Sequence, residues 1–112
     1  MVNRSDVACR CGCGFDALDY ELKYIVEDLE SKFGYLTYHS GCRCPEHNKK
    51  EGGHPNSYHT KGKALDFSIV GCELQAIYGY LSYVYDGKYE IIIYKTFIHI
   101  ALQEYEERID KR

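Results

Sequence analysis

Two histidines and an aspartate stand where β-strands can bring them together. His59 closes a polar loop, Asp66 lies on the strand that follows, and His99 lies late in the chain between Ile98 and Ile100. Side chains alternate along an extended strand, so Asp66 faces away from Leu65 and Phe67, and His99 faces away from its two isoleucines. Two imidazoles and a carboxylate with a fourth position open are the ligand set of a catalytic zinc ion, held at about 2.0–2.2 Å. Such an ion lowers the pKa of a water and polarises a carbonyl. On spacing alone, His99 reads more commonly as a hydrogen-bonded sheet residue, and the pattern leaves both readings open.

These residues need elements to carry them. Leu18, Leu22, Ile25, Val26, Leu29 and Phe33 recur at helical spacing, which predicts a helix over 15–34 with Asp16 as N-cap, Asp19 and Glu21 in its first turn, and Gly34 as its stop. A short strand is expected over 35–39, with Leu36 and Tyr38 on one face. Pro45 opens a short helix to Lys50 inside the polar stretch 40–63. Residues 64–70 alternate as a strand, with Leu65, Phe67 and Ile69 on one face and Asp66 and Ser68 on the other. A second amphipathic helix is expected over about 73–85, with Leu74, Ile77, Tyr78, Leu81 and Val84 inward. Asp86-Gly87 then turns the chain, and strands over 89–94 and 97–102 follow around Lys95-Thr96. Residues 1–14 show neither period. The order of elements implies an α+β fold with a mainly antiparallel sheet and flanking helices.

Composition sets the outer limits. A chain of 112 residues, 45% apolar and 28% charged, suits one core-forming domain over 1–112, with a cysteine-rich segment at 1–14 and a charged tail at 104–112. No apolar run approaches the roughly 20 residues of a membrane helix. Net charge of −3 and a pI near 5.9 speak against general nucleic-acid binding. The first residues lack the apolar stretch of a signal peptide, so synthesis in the cytoplasm is expected, and a monomer is expected too.

Two segments sharpen the reading. Ser40-Gly41-Cys42-Arg43 is followed by Gly52-Gly53 and then by Ser57-Tyr58-His59-Thr60-Lys61-Gly62-Lys63-Ala64-Leu65-Asp66, and Phe97-Ile98-His99 comes late. This closely resembles the M15 family of zinc D-Ala-D-Ala carboxypeptidases and peptidoglycan endopeptidases, with its S-G-x-R, G-G…S-x-H-x-x-G-x-A-x-D and F-[VI]-H segments. The resemblance spans about residues 7–101 and is similar to the small single-domain members common in phages and prophages. Hedgehog signalling domains share that fold and its zinc geometry. The resemblance implies one Zn²⁺ per chain held by His59, Asp66 and His99, with cell-wall peptide as the partner. It implies that Arg43 binds or polarises the scissile carbonyl or the substrate carboxylate, a task suited to a guanidinium fork. It also implies that Ser57 hydrogen-bonds the substrate. From the residues alone, Arg43 reads as an ion pair with Glu46 or Asp66, and Ser57 as a turn or helix cap.

One feature departs from the family pattern. Relatives place a catalytic carboxylate three residues before the last histidine or two after it, and here those positions are Thr96 and Ala101. Neither takes a proton. Glu90, Tyr94, His47 and His54 are the remaining candidates for the general base. A non-catalytic zinc module that recognises cell-wall peptide or a protein partner is therefore the alternative expectation.

Cysteine is the remaining oddity, with 6 in the chain. Cys9, Cys11 and Cys13 alternate, as do Cys42 and Cys44, and C-x-C is not the C-x₂-C knuckle of a structural zinc site. An extended segment would put Cys9, Cys11 and Cys13 on one side. The resemblance implies that the N-terminal segment lies against the Arg43 loop. Three readings stand: one or two disulfides such as Cys9 or Cys13 to Cys44, a second thiolate metal site, or reduced thiols. Cys72 reads as a small buried apolar residue.

Overall fold

The computed structural model describes residues 4–53, 57–85 and 88–102. His54, the Asp86-Gly87 turn and the 104–112 tail lie outside the described residues. The elements are α1 (Arg4–Val7), α2 (Tyr20–Lys32), β1 (Leu36–Ser40), α3 (Pro45–Lys50), a 3₁₀ turn (Tyr58–Lys61), β2 (Ala64–Ile69), α4 (Leu74–Val84), β3 (Glu90–Ile93) and β4 (Ile98–Ala101). The four strands form one sheet in the order β1-β2-β4-β3, and each neighbouring pair is antiparallel. This is the α+β fold that the order of elements implies.

The alternation in β2 and β4 divides the sheet into two faces. Leu65, Phe67, Ile98 and Ile100 are fully buried and meet Leu22, Val26 and Leu29 of α2 and Ile77 and Leu81 of α4 in one core. Burying each such side chain contributes roughly 1.5–3 kcal/mol. The other face carries Asp66 and His99, which are direct cross-strand partners. Tyrosine hydroxyls fasten the second layer. Tyr80 donates to Asp28 Oδ2 at 2.8 Å, and Tyr89 donates to Glu21 Oε2 at 2.5 Å, which ties both to α2. Among the described residues, no helix is long and apolar enough to cross a membrane.

Tertiary contacts shift the ends of the two long helices and add one turn that was not expected. The first long helix begins at Tyr20, and its N-cap is Asp19 rather than Asp16. The Asp19 backbone N–H donates to Gly62 O at 2.7 Å, which fixes that residue outside the helix, and its side chain accepts from Glu21 N–H. Leu18 is still buried, but ahead of the helix. Val84, expected inward, is exposed. α4 ends there, and Tyr85 takes the inward position, half-buried with its hydroxyl 3.4 Å from Asp28. Residues 4–7, which show no period, form one helical turn because Val7 is drawn into the core.

Candidate metal centre

His59 is set by the short 3₁₀ turn between the polar loop and β2. Ser57 caps that turn, and its Oγ accepts the His59 backbone N–H at 3.2 Å. Gly62 closes it in the left-handed conformation at φ 68°, where a Cβ would collide with Ala17 O. The ring itself is buried. Its Nδ1–H donates to Gly41 O at 2.7 Å, which turns Nε2 the other way, toward Asp66. A metal-ligating imidazole is oriented in this manner.

The Nε2 atom of His59 lies 3.3 Å from Asp66 Oδ1, and the same oxygen lies 2.7 Å from His99 Nδ1. One ligand atom from each of these three residues falls within 4.8 Å of the others. The two rings are tilted at 58° with centroids 5.4 Å apart. Donors of the right class therefore converge on one point from a turn and two strands. The cross-strand register places Asp66 opposite His99, and the turn brings His59 over both. Burial disfavours the Asp66 carboxylate, yet hydrogen bonds and charge from His59 and His99 outweigh it and hold its pKa down at about 2. Burial likewise works against the His99 imidazolium, and Asp66 and Glu90 overcome it and raise the ring to about 9.

Arg43 stands beside this group at the end of the loop that follows β1. The strand is irregular between Tyr38 and Ser40, and that shift brings Ser40 opposite Asp66. The Arg43 backbone N–H donates to His59 O at 3.0 Å. All three arms of its guanidinium are engaged. Nε donates to Ser40 Oγ at 3.0 Å, Nη1 donates to Asn48 Oδ1 at 3.0 Å, and Nη2 lies 3.7 Å from Asp66 Oδ2. The Asp66 ion pair is one of the two that the residue types allow. A cleft of about 210 Å³ opens over this group and is lined by Arg43, Asp66, His39, His47, Glu51 and Phe97 among others.

Several of these residues give no signal in the sequence. Asn48 is buried in α3 and braces Arg43, yet it reads as one more polar residue of a polar loop. Gly53 must lack a side chain because a Cβ there would strike Asn48 Oδ1 and crowd Arg43 Nη1 at 2.9 Å. His39 lines the cleft, with Nε2 2.8 Å from Ser68 Oγ and its ring stacked on Phe97.

Three of the four base candidates lie among the described residues, and they are placed differently. His47 lines the cleft, 3.6 Å from Glu51. Tyr94 is exposed and stacked on Phe97. Glu90 Oε1 lies 3.2 Å from His99 Nε2, which is the ring nitrogen turned away from Asp66. Glu90 is therefore a positioning residue: it holds the far N–H of His99 and directs Nδ1 at the donor cluster. Glu90→Ala should weaken zinc binding at this centre by about 10–100-fold, and Glu90→Gln, whose amide oxygen still accepts, should recover most of it. Competition titration with a chromogenic chelator measures both. Equal affinities in all three proteins would remove Glu90 from this role.

A family model described as peptidase M15 matches residues 2–101. The comparisons with curated proteins and with solved structures find no match. The matched span runs from the N-terminal segment to the end of β4 and so contains every residue of the donor cluster and of the arginine beside it. The chain belongs to the peptidase M15 family.

Proposed function

We propose that this chain is a zinc metallopeptidase that hydrolyses an amide bond in bacterial cell-wall peptide, as a D-Ala-D-Ala carboxypeptidase or a peptidoglycan endopeptidase. The observation that carries this reading is the convergence of His59 Nε2, Asp66 Oδ1 and His99 Nδ1 beside a three-point-anchored arginine. His59, Asp66 and His99 would hold the zinc ion, and when bound it supplies a Lewis acid that activates water and polarises the scissile carbonyl. Arg43 presents fixed positive charge to the carbonyl oxygen as that oxygen becomes negative, and its anchors remove the cost of arranging it during the reaction. Ser57, which caps the turn that carries His59, would hydrogen-bond the substrate. His47 carries the proton between the attacking water and the departing amine, because its imidazole faces the cleft, 3.6 Å from Glu51.

Incubating the zinc-loaded protein with purified peptidoglycan and with a D-Ala-D-Ala-terminated peptide tests this. Free D-alanine marks a carboxypeptidase, and cleaved cross-links without it mark an endopeptidase. His47→Ala should lower turnover by roughly 10²–10⁴ with metal content unchanged, and an unchanged rate would take the proton-carrying role from His47. The second reading, a non-catalytic zinc module that recognises cell-wall peptide or a protein partner, is favoured by Thr96 and Ala101 standing where relatives carry the base. Saturable binding of the peptide with no product, at full metal loading, would select it.

A further inference from the structure

The sulfur atoms form a second convergence, separate from the histidine centre. One Sγ from each of Cys9, Cys11, Cys13 and Cys44 lies within 4.8 Å of the other three. The C-x-C-x-C segment is not extended. The Cys9 N–H donates to Phe15 O at 2.7 Å and the Gly12 N–H to Cys9 O at 3.2 Å, so the chain curls back on itself and gathers its three thiols about one point, Cys9 buried and Cys11 and Cys13 exposed. Cys44 completes the set from the far side of the Arg43 loop. Cys42 takes no part: its side chain lies in the core, where burial pushes its thiol up to about 11. Cys72 is half-buried, with its Sγ 3.7 Å from Phe33 O.

We propose that Cys9, Cys11, Cys13 and Cys44 hold a zinc ion of their own, in a structural four-thiolate site that ties the N-terminal loop to the arginine loop. Four sulfurs at the zinc–thiolate distance of about 2.3 Å from one centre stand about 3.8 Å apart in a tetrahedron. The Cys9–Cys11 and Cys11–Cys44 separations of 3.3 and 3.5 Å are already close to that edge, and a single ion satisfies all four at once. Pairing into disulfides would instead draw each sulfur to one partner at about 2.0 Å and away from the other two. Backbone donors support the ligands as they do in structural thiolate sites. The Cys44 N–H lies 3.3 Å from Cys9 Sγ, and the His47 N–H lies 3.4 Å from Cys44 Sγ. Four ligands leave no open position, so this ion serves the fold rather than the reaction. Its consequence is local. Cys44 is bonded in sequence to Arg43, so the centre ties that flank of the arginine to residues 9–13, and the other flank is held separately by the Cys42 N–H donating to Val7 O at 2.8 Å.

The full chain, purified under reducing conditions without chelator, should hold two zinc ions. Cys11→Ser/Cys44→Ser should hold one, and so should His59→Ala/His99→Ala. Cobalt(II) added to the metal-free histidine variant should produce intense sulfur-to-cobalt charge transfer in the near ultraviolet at one equivalent, a readout that needs no cysteine substitution and no activity. Four of the 6 thiols should resist alkylation until the metal is chelated. Three results would each overturn the proposal: the histidine variant binding no cobalt through sulfur, the cysteine variant keeping the full metal complement, or an intact mass four hydrogens below that of the reduced chain. None depends on peptidase activity, so failure here and failure of the proposed function are separate results.

Discussion

Asp66→Ala is expected to lose the metal of the histidine centre, abolish cleavage, and destabilise the metal-free protein by about 3–5 kcal/mol. One carboxylate serves three neighbours. Oδ1 faces His59 Nε2 and His99 Nδ1, and Oδ2 faces Arg43 Nη2. The Asp66 side chain is 10% exposed, so water does little to replace it. Without it, the Arg43 guanidinium and the charged His99 ring share a buried site, and Glu90 is the counter-charge that remains to His99 among the described residues. The penalty of an unpaired buried charge exceeds the strength of the pair that held it, and this makes the truncation costly. Asp66→Asn keeps an acceptor near Oδ1 but not the charge, so it should fall between wild type and alanine in stability while still losing most of the metal. Denaturant unfolding of chelator-treated proteins gives the first quantity and elemental analysis the second. A variant with normal stability and a full metal complement would show that Asp66 is not a ligand.

The second large effect is expected at Arg43. Arg43→Lys should lower kcat/KM for the proposed cell-wall peptide substrate by about 10²–10³, equivalent to about 2.7–4 kcal/mol of transition-state stabilisation, with metal content unchanged. Lysine keeps the charge but carries it as a mobile point. It cannot at once reach Ser40 Oγ, Asn48 Oδ1 and Asp66 Oδ2, which the three nitrogens of Arg43 do. The charge then has no fixed position against the developing oxyanion. Paired assays of kcat and KM decide what has been lost. A fall in kcat with KM unchanged marks transition-state stabilisation, and a rise in KM alone marks ground-state binding of a substrate carboxylate. Full activity in the lysine variant would mean that position 43 needs charge only.

The α+β order and the strand faces of Asp66 and His99 were open to a reader of the chain, whereas the ligand set and the role of Arg43 came from the resemblance to the family. Strand alternation is a two-residue rule, so the opposite faces of Leu65 and Asp66, and of Ile98 and His99, follow from adjacency alone. Apolar spacing in the two long helices is as direct, and it fails only at the ends. There the Asp19 N–H bonds to Gly62, 43 positions later, and Tyr85 displaces Val84. Such end effects depend on partners distant in sequence, which no local pattern encodes.

Glu90, Asn48 and the sulfurs make the same point at the site. Glu90 reaches His99 only because β3 pairs with β4 in a register that sets Ile92 opposite His99 and puts Glu90 one alternation further along the same face. A slip of one residue would send that carboxylate into the core face. The cysteines alternate like an extended strand, yet the backbone curls and collects them, and a fourth arrives from residue 44. The chain alone determined which chemical groups are present and which side of each strand or helix they occupy, because those are short-range consequences of backbone geometry. Tertiary structure decided which groups share a point in space: Glu90 on the far nitrogen of His99, Asn48 under Arg43, and four sulfurs in one cluster. That choice rests on register and on loop closure, both of which are set by contacts between residues far apart in the chain.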